Sequence, residues 1–166
     1  MRIIIQRVNR AKVTANNIVT GEISKGMMLL VGIGKNDTDP EIIKKFAKKV
    51  LKVRLWDQIL PETDNQMEEV GQETPKPKPW NSNVVQNDYG VLIVSQFTLY
   101  GFFKGNKPDF HQAMKPADAL KQFNYFVDLV KKEYKEEKVQ VGAFGEYMHI
   151  DMECDGPVTM TLDSDK

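Results

Sequence analysis

Apolar residues at the start of the chain either alternate with polar ones or run unbroken, and both patterns predict strands rather than helices. Residues 2–8 (RIIIQRV) and 11–15 (AKVTA) are short and β-branched, which suits a pleated surface. Asn16-Asn17 follows, and because Asn tolerates the left-handed conformation it predicts a tight hairpin, with 18–23 as the return strand. Met27 to Ile33 is one continuous apolar run, predicted as a strand buried on both faces and punctuated by Gly32 and Gly34.

The period then lengthens. Asp39 is placed to cap a helix that Pro40 opens. Ile42, Ile43, Phe46, Val50 and Leu51 fall on one helical face, and Lys44, Lys45, Lys48, Lys49 and Lys52 on the other. The lysine face reads as solvated surface, with a phosphate-backbone contact surface as the alternative. Residues 57–88 are polar and irregular, and Pro61, Pro75, Pro77 and Pro79 exclude a regular helix or central strand. They predict a mobile, proline-rich surface insertion anchored by Trp80 at its end.

Gly90 to Tyr100 returns to a strand pattern, and a Gly- and Lys-bearing loop spans 101–108. Pro116 starts a second helix with Leu120, Phe123, Phe126, Val127 and Val130 on its apolar stripe. Val139 and Val141 mark a short strand. Met148, Ile150, Met152 and Cys154 alternate with polar residues, as in a half-buried strand. Asp155-Gly156-Pro157 breaks that strand before a last one at 158–162. About seven strands, two long helices and one early crossover predict an α+β fold whose mostly antiparallel sheet curls toward a barrel. The 166 residues are read as one domain.

Composition narrows the function classes. Lys+Arg is 23 and Asp+Glu is 23, a formal charge of zero. This excludes nucleic-acid binding driven by net charge but leaves room for a local basic patch. No stretch of 18 apolar residues predicts a membrane span, and the opening Met1-Arg2-Ile3-Ile4-Ile5-Gln6-Arg7 is too soon charged again for a signal peptide. A single cysteine, Cys154, forbids an intramolecular disulfide and predicts a reducing, cytoplasmic compartment.

Conventional catalytic patterns are missing. His111 and His149 have no nucleophile elbow or paired-histidine spacing around them. One Cys and two scattered His do not make a zinc set, and a strand cysteine is a poor nucleophile. Gly32-Ile33-Gly34 lacks the third glycine and the lysine of phosphate loops. No cofactor or metal is therefore expected.

Three features remain. Ser95-Gln96-Phe97-Thr98 places polar groups at the end of an apolar strand, where each needs a partner; a strand simply leaving the core is the plain alternative. Gly156-Pro157 sits between two strands, a typical place for a cis X-Pro bond, with an ordinary turn as the alternative. Lys104-Gly105-Asn106-Lys107-Pro108 reads equally as a phosphate-holding loop or a solvated turn.

Taken in order, Gln-Arg-Val at 6–8, Ser-Gln-Phe-Thr-Leu at 95–99, Lys-Gly-Asn-Lys-Pro-Asp-Phe at 104–110, Phe-Gly-Glu-Tyr-Met at 144–148, Asp-Gly-Pro-Val-Thr at 155–159 and Leu-Asp-Ser at 162–164 resemble the D-aminoacyl-tRNA deacylases. The resemblance covers residues 1–164 apart from the insertion near 57–80. It implies a cytoplasmic homodimer that hydrolyses the ester joining a D-amino acid, or glycine, to the tRNA 3′-terminal adenosine, with each active site at the subunit interface. Ser95, Gln96, Phe97 and Thr98 would line the catalytic site. Gly156-Pro157, in cis, would reach into the partner's pocket, braced by Arg7. Ala119, Phe144, Gly145 and Met148 would hold the terminal adenosine.

Under that reading the Phe97–Thr98 backbone supplies oxyanion donors, the tRNA 2′-hydroxyl assists, and Thr98 positions rather than attacks. A catalytically inactive RNA-binding member of the same fold is the alternative. The chain departs from the family in three places. Cys154 stands where Asn is common before Asp-Gly-Pro, the loop after Tyr100 is shorter and more apolar, and the proline-rich insertion has no counterpart in compact members.

Overall fold

The computed structural model describes residues 1–60 and 76–164. In chain order its elements are β1 (Arg2–Ala15), β2 (Ile18–Ile23), β3 (Gly26–Gly32), α1 (Pro40–Lys52), β4 (Arg54–Trp56), β5 (Ser82–Asn83), β6 (Gly90–Ser95), β7 (Phe102–Lys104), β8 (Lys107–Asp109), α2 (Pro116–Glu133), β9 (Val139–Val141) and β10 (Met148–Asp163). The main sheet runs β10-β1-β3-β6-β9, with β2 also paired to β1. It is mixed: the β1 pairings with β10, β2 and β3 are antiparallel, and the β3–β6 and β6–β9 pairings are parallel. The second parallel pairing requires a second crossover, through α2, beyond the single early one expected.

The sheet curls nearly into a barrel. A Cβ on Gly21 of β2 would lie only 3.0 Å from the Val141 carbonyl of β9, so bare backbone is needed where the two ends approach. The two-residue alternation of the strands then feeds two cores. Ile3, Ile5, Met27, Leu29, Val91 and Ile93 face the helices, while Val8, Ala11, Val13, Met28, Leu92 and Val94 fill the interior of the curl. This is why β3 and β6 read as unbroken apolar runs.

Residues 2–8 and 11–15 are one bent strand, not two. β1 changes register against β10 between Gln6 and Val8 and again between Val8 and Arg10. The bulge lets one strand serve both cores, because an extra residue switches which side chains point inward. The hairpin is as expected, with Asn16 and Asn17 at φ of 51° and 64°.

In α1 the Asp39 carboxylate accepts the Glu41 N–H at 2.9 Å, and Ile43, Phe46, Ala47, Val50 and Leu51 are buried. Each larger side chain there contributes about 1.5–3 kcal/mol by leaving water. In α2, Phe123, Phe126, Val127 and Val130 are buried, but Leu120 is 39% exposed and does not pack on the core.

Pro61, Pro75 and the middle of the expected insertion lie outside the described residues. Its C-terminal end is built in: β4 and β5 pair, and Ser82 and Val84 are buried. Trp80 is 54% exposed and is not an anchor; the buried indole is Trp56. Phe97–Tyr100 is a 3₁₀ turn rather than a continuation of β6. No helix among the described residues is long and apolar enough to cross a membrane.

Candidate active site

The parallel strands β3, β6 and β9 end on the same side of the sheet, and a cavity of about 660 Å³ opens there. Clefts at the carboxyl ends of parallel strands are natural ligand sites, since the connecting loops diverge there. Its floor comes from Val31, Ile33 and Val94, and its walls from Phe110, Met114 and Phe123. Ser95, Gln96, Phe97, Ala119, Phe144, Gly145 and Met148 all line it. Thr98 is the one member of the 95–98 motif outside the wall, held beside it by the Gln96 side-chain amide, which donates to Thr98 Oγ1.

The 3₁₀ turn gives this wall its polarity. The Gln96 N–H still pairs with Val31 O at 2.8 Å, and the first bond inside the turn runs from the Leu99 N–H to Gln96 O at 3.3 Å. The Phe97 and Thr98 N–H groups lie upstream of that first bond, at the end of a helical turn where donors lack partners within it. Around them the surface is aromatic: Phe97 packs edge-on against Phe110 with centroids 5.1 Å apart, and Phe123 lies 5.4 Å from Phe144. Charged side chains reach the wall only at the rim, as Lys115 and Glu146.

A buried polar knot fixes the far end of the turn. Asp37 is 5% exposed and accepts from the Gly34 N–H at 2.6 Å, Tyr100 Oη at 2.8 Å and Ser164 Oγ at 3.2 Å, and it ion-pairs with the Met1 ammonium. Burial pushes the carboxyl up, but the ammonium and the Gly34 and Tyr100 donors outweigh it and hold Asp37 below its ordinary value.

Arg7, Gly156 and Pro157 are not in the cavity wall. They form a second cluster where β1 and β10 bulge apart. The Gly156-Pro157 bond is cis, and residues 155–158 loop out between the pairs Gln6↔Thr159 and Val8↔Cys154. Arg7 braces this loop: its Nε meets the Asp155 carboxylate at 3.1 Å and the Asp155 carbonyl at 3.3 Å, and Nη1 donates to Leu55 O. The Gln6 amide adds a bond to Val158 O at 3.3 Å. Gly156 itself has φ of 123°, and a Cβ there would sit 2.8 Å from Val158 Cγ2. Gly156 and Pro157 are exposed, as is Cys154 just before them.

Neither histidine lies in the cavity. His111 sits on the short β7–β8 hairpin unit against Asp109, whose carboxyl is held well below its usual range by the Lys104 ammonium and by His111; His149 packs on Tyr147. Among the described residues, no group of three or more His, Cys, Asp or Glu could hold a metal ion.

Sequence reasoning assigned no role to Phe110, Met114, Lys115 or Tyr147, which also line the cavity. Phe110 and Tyr147 stand inside the matched motifs, and Pro116 marks where 113–116 must turn into α2 under the strand ends; these were the available signals.

The family model described as D-Tyr-tRNA(Tyr) deacylase matches residues 4–163. The D-aminoacyl-tRNA deacylase 1 of Leishmania major is 45% identical, over 100% of this chain and 99% of that protein. The D-aminoacyl-tRNA deacylase of Plasmodium falciparum is 41% identical, over 99% and 96%. A solved structure titled c-Myc DNA unwinding element binding protein superposes with a TM-score of 0.82 at 36% identity, covering 99% of both chains.

Proposed function

The chain belongs to the D-Tyr-tRNA(Tyr) deacylase family and is a D-aminoacyl-tRNA deacylase, a hydrolase of translation proofreading that acts on aminoacyl-tRNA, and we propose how its residues divide that work. The cavity takes the 3′-terminal adenosine against Ala119, Phe144, Gly145 and Met148, with the ester toward Ser95, Gln96, Phe97 and Thr98. Water, assisted by the tRNA 2′-hydroxyl, adds to the ester carbonyl. The Phe97 and Thr98 N–H groups receive the negative charge that builds on oxygen. The bond to the ribose oxygen then breaks, releasing the free D-amino acid and tRNA with its hydroxyl restored. Thr98 positions, and no charged side chain is needed as base.

Handedness is read by the Gly156-Pro157 backbone of a second protomer. Its carbonyl oxygens grip the substrate ammonium and leave a D side chain pointing outward, while an L side chain is driven into the clamp. Glycine carries no side chain to exclude, so glycyl esters on alanine tRNA are substrates too. The working unit is a homodimer in the cytoplasm, the reducing compartment that a lone thiol suits.

One observation carries this reading. The residues expected around the adenosine and the ester converge on one cavity, while the braced Arg7–Gly156–Pro157 loop stands exposed outside its walls. A clamp on the protomer surface is useful only to another copy.

D-tyrosyl-tRNA and L-tyrosyl-tRNA incubated with the protein test the reaction: cleavage of the D-ester alone is expected, and equal cleavage of both, or of neither, refutes it. Mixing a Gly156→Ala protein with a Gln96→Ala protein tests the division between protomers. Shared sites predict that activity returns on mixing, since each hybrid dimer holds one intact clamp facing one intact pocket; no recovery places both parts in one protomer.

A further inference from the structure

The cavity does not end at its rim. A second hollow of about 540 Å³ adjoins it, and the two share Ala113, Met114 and Lys115 as a common wall. Its other walls carry Lys35, His111, Lys121 and Asp118. The floor is stiff backbone: Gly34 bridges Ala113, the Lys35 N–H donates to Gln112 O at 2.9 Å, and the Met114 N–H donates to Ile33 O at 2.9 Å.

Charge in this groove is lopsided. Lys35 and Lys115 are exposed and form no ion pair among the described residues. Among the described residues, Asp118 is the only carboxylate in the wall, and it sits 3.6 Å from Lys121. Asp109, next to His111, is already taken up by Lys104 at 2.8 Å and by the His111 ring. A terminal nucleoside in the cavity belongs to a strand that must leave by some side. The Glu146 side of the rim repels phosphate, and the Phe97 and Tyr147 sides line it with no cation to neutralise the charge.

We propose that the groove of Lys35, Lys115 and Lys121 holds the phosphodiester backbone immediately upstream of the 3′-terminal adenosine. The proposal rests on the reading of the cavity as the adenosine site. Each lysine that neutralises a phosphate releases condensed counterions, so the groove binds RNA in a salt-dependent manner without reading sequence.

The test compares D-tyrosyl-tRNA with D-tyrosyl-adenosine, which has the same ester and nucleoside but no phosphate. The double variant Lys35→Gln/Lys121→Gln is expected to raise KM for the tRNA about tenfold, with kcat unchanged. It is also expected to flatten the dependence of log KM on log salt by about 1.4, from two lost single-strand contacts at ~0.7 each. Turnover of D-tyrosyl-adenosine stays at the wild-type level. An unchanged KM and salt slope on tRNA overturns the proposal, as does an equal loss on both substrates, which would place the lysines at the ester pocket. Should the wild type cleave neither ester, the functional reading fails, and the groove is judged by salt-dependent binding of an oligoribonucleotide ending in CCA. Weaker binding by the double variant then supports the groove, and equal binding removes it.

Discussion

Two regions carry the residues on which function depends, and each is held by one ion pair, but the pairs differ in burial. Behind the cavity, Asp37 and the Met1 ammonium are sealed, with side chains 7% and 0% exposed; at the outer loop, Arg7 and Asp155 are 17% and 28% exposed. A sealed pair has no water to fall back on, so losing one partner leaves a bare buried charge. A half-wet pair can be resolvated, so its loss costs little stability and shows instead as lost position. The cavity is thus secured by folding energy, and the loop by orientation.

The largest break falls on the sealed side. Asp37→Asn leaves the Met1 ammonium buried without its counter-charge and is expected to cost about 3 kcal/mol, lowering Tm by roughly 6–12 °C for a chain of this size. The same carboxylate makes stability acid-sensitive. Its folded pKa lies below the ordinary 3.8, so its contribution is full above that value and is lost as pH falls through it toward the folded pKa. Tm measured from pH 5 downward should drop more steeply in the wild type than in Asp37→Asn; parallel curves would assign the acid limb to other groups.

On the loop side the order of effects reverses. Gly156→Ala puts a Cβ against Val158 at a φ that L-residues rarely adopt. The displaced loop is expected to lower D-tyrosyl-tRNA cleavage by about 100-fold, with Tm nearly unchanged. Arg7→Ala removes the donors to Asp155 and the Leu55 carbonyl. A loss of about 2 kcal/mol in kcat/KM follows, partly restored by Arg7→Lys; a large fall in Tm with normal activity in the surviving protein would contradict the comparison. The smallest effect sharpens it by contrast. His111→Ala should change turnover on D-tyrosyl-adenosine by less than about threefold, because the ring lies outside the cavity and base catalysis would be worth far more.

Local signals were legible where local physics decides. Asp39 caps α1 as its side chain allows, Asn16 and Asn17 take the left-handed turn, and the apolar runs at 27–33 and 90–94 are buried on both faces. The turn at 97–100 was not legible, because Phe97 and Leu99 alternate with Gln96 and Thr98 like a strand. It forms because the Gln96 N–H makes the last pairing to Val31 and Tyr100 is drawn to Asp37, a residue 63 positions away. Leu120 fits an apolar stripe but is 39% exposed, while its neighbour Ala119 lines the cavity, and only the packed helix reveals this. β9, three residues long, carries no mark of its parallel place beside β6.

By itself the sequence determined the long strands of the main sheet, the two helices, the curled α+β class and, through motifs in fixed order, the family. Through the family resemblance it also implied that Arg7 braces Gly156-Pro157; tertiary structure alone decided that this brace stands outside the cavity wall of its own protomer and that the wall is made by a 3₁₀ turn after β6. The physical reason is range. Periodicity and capping act over a few residues, whereas the cavity and the brace both depend on β1 pairing with β10 from the other end of the chain, and on where that pairing slips register.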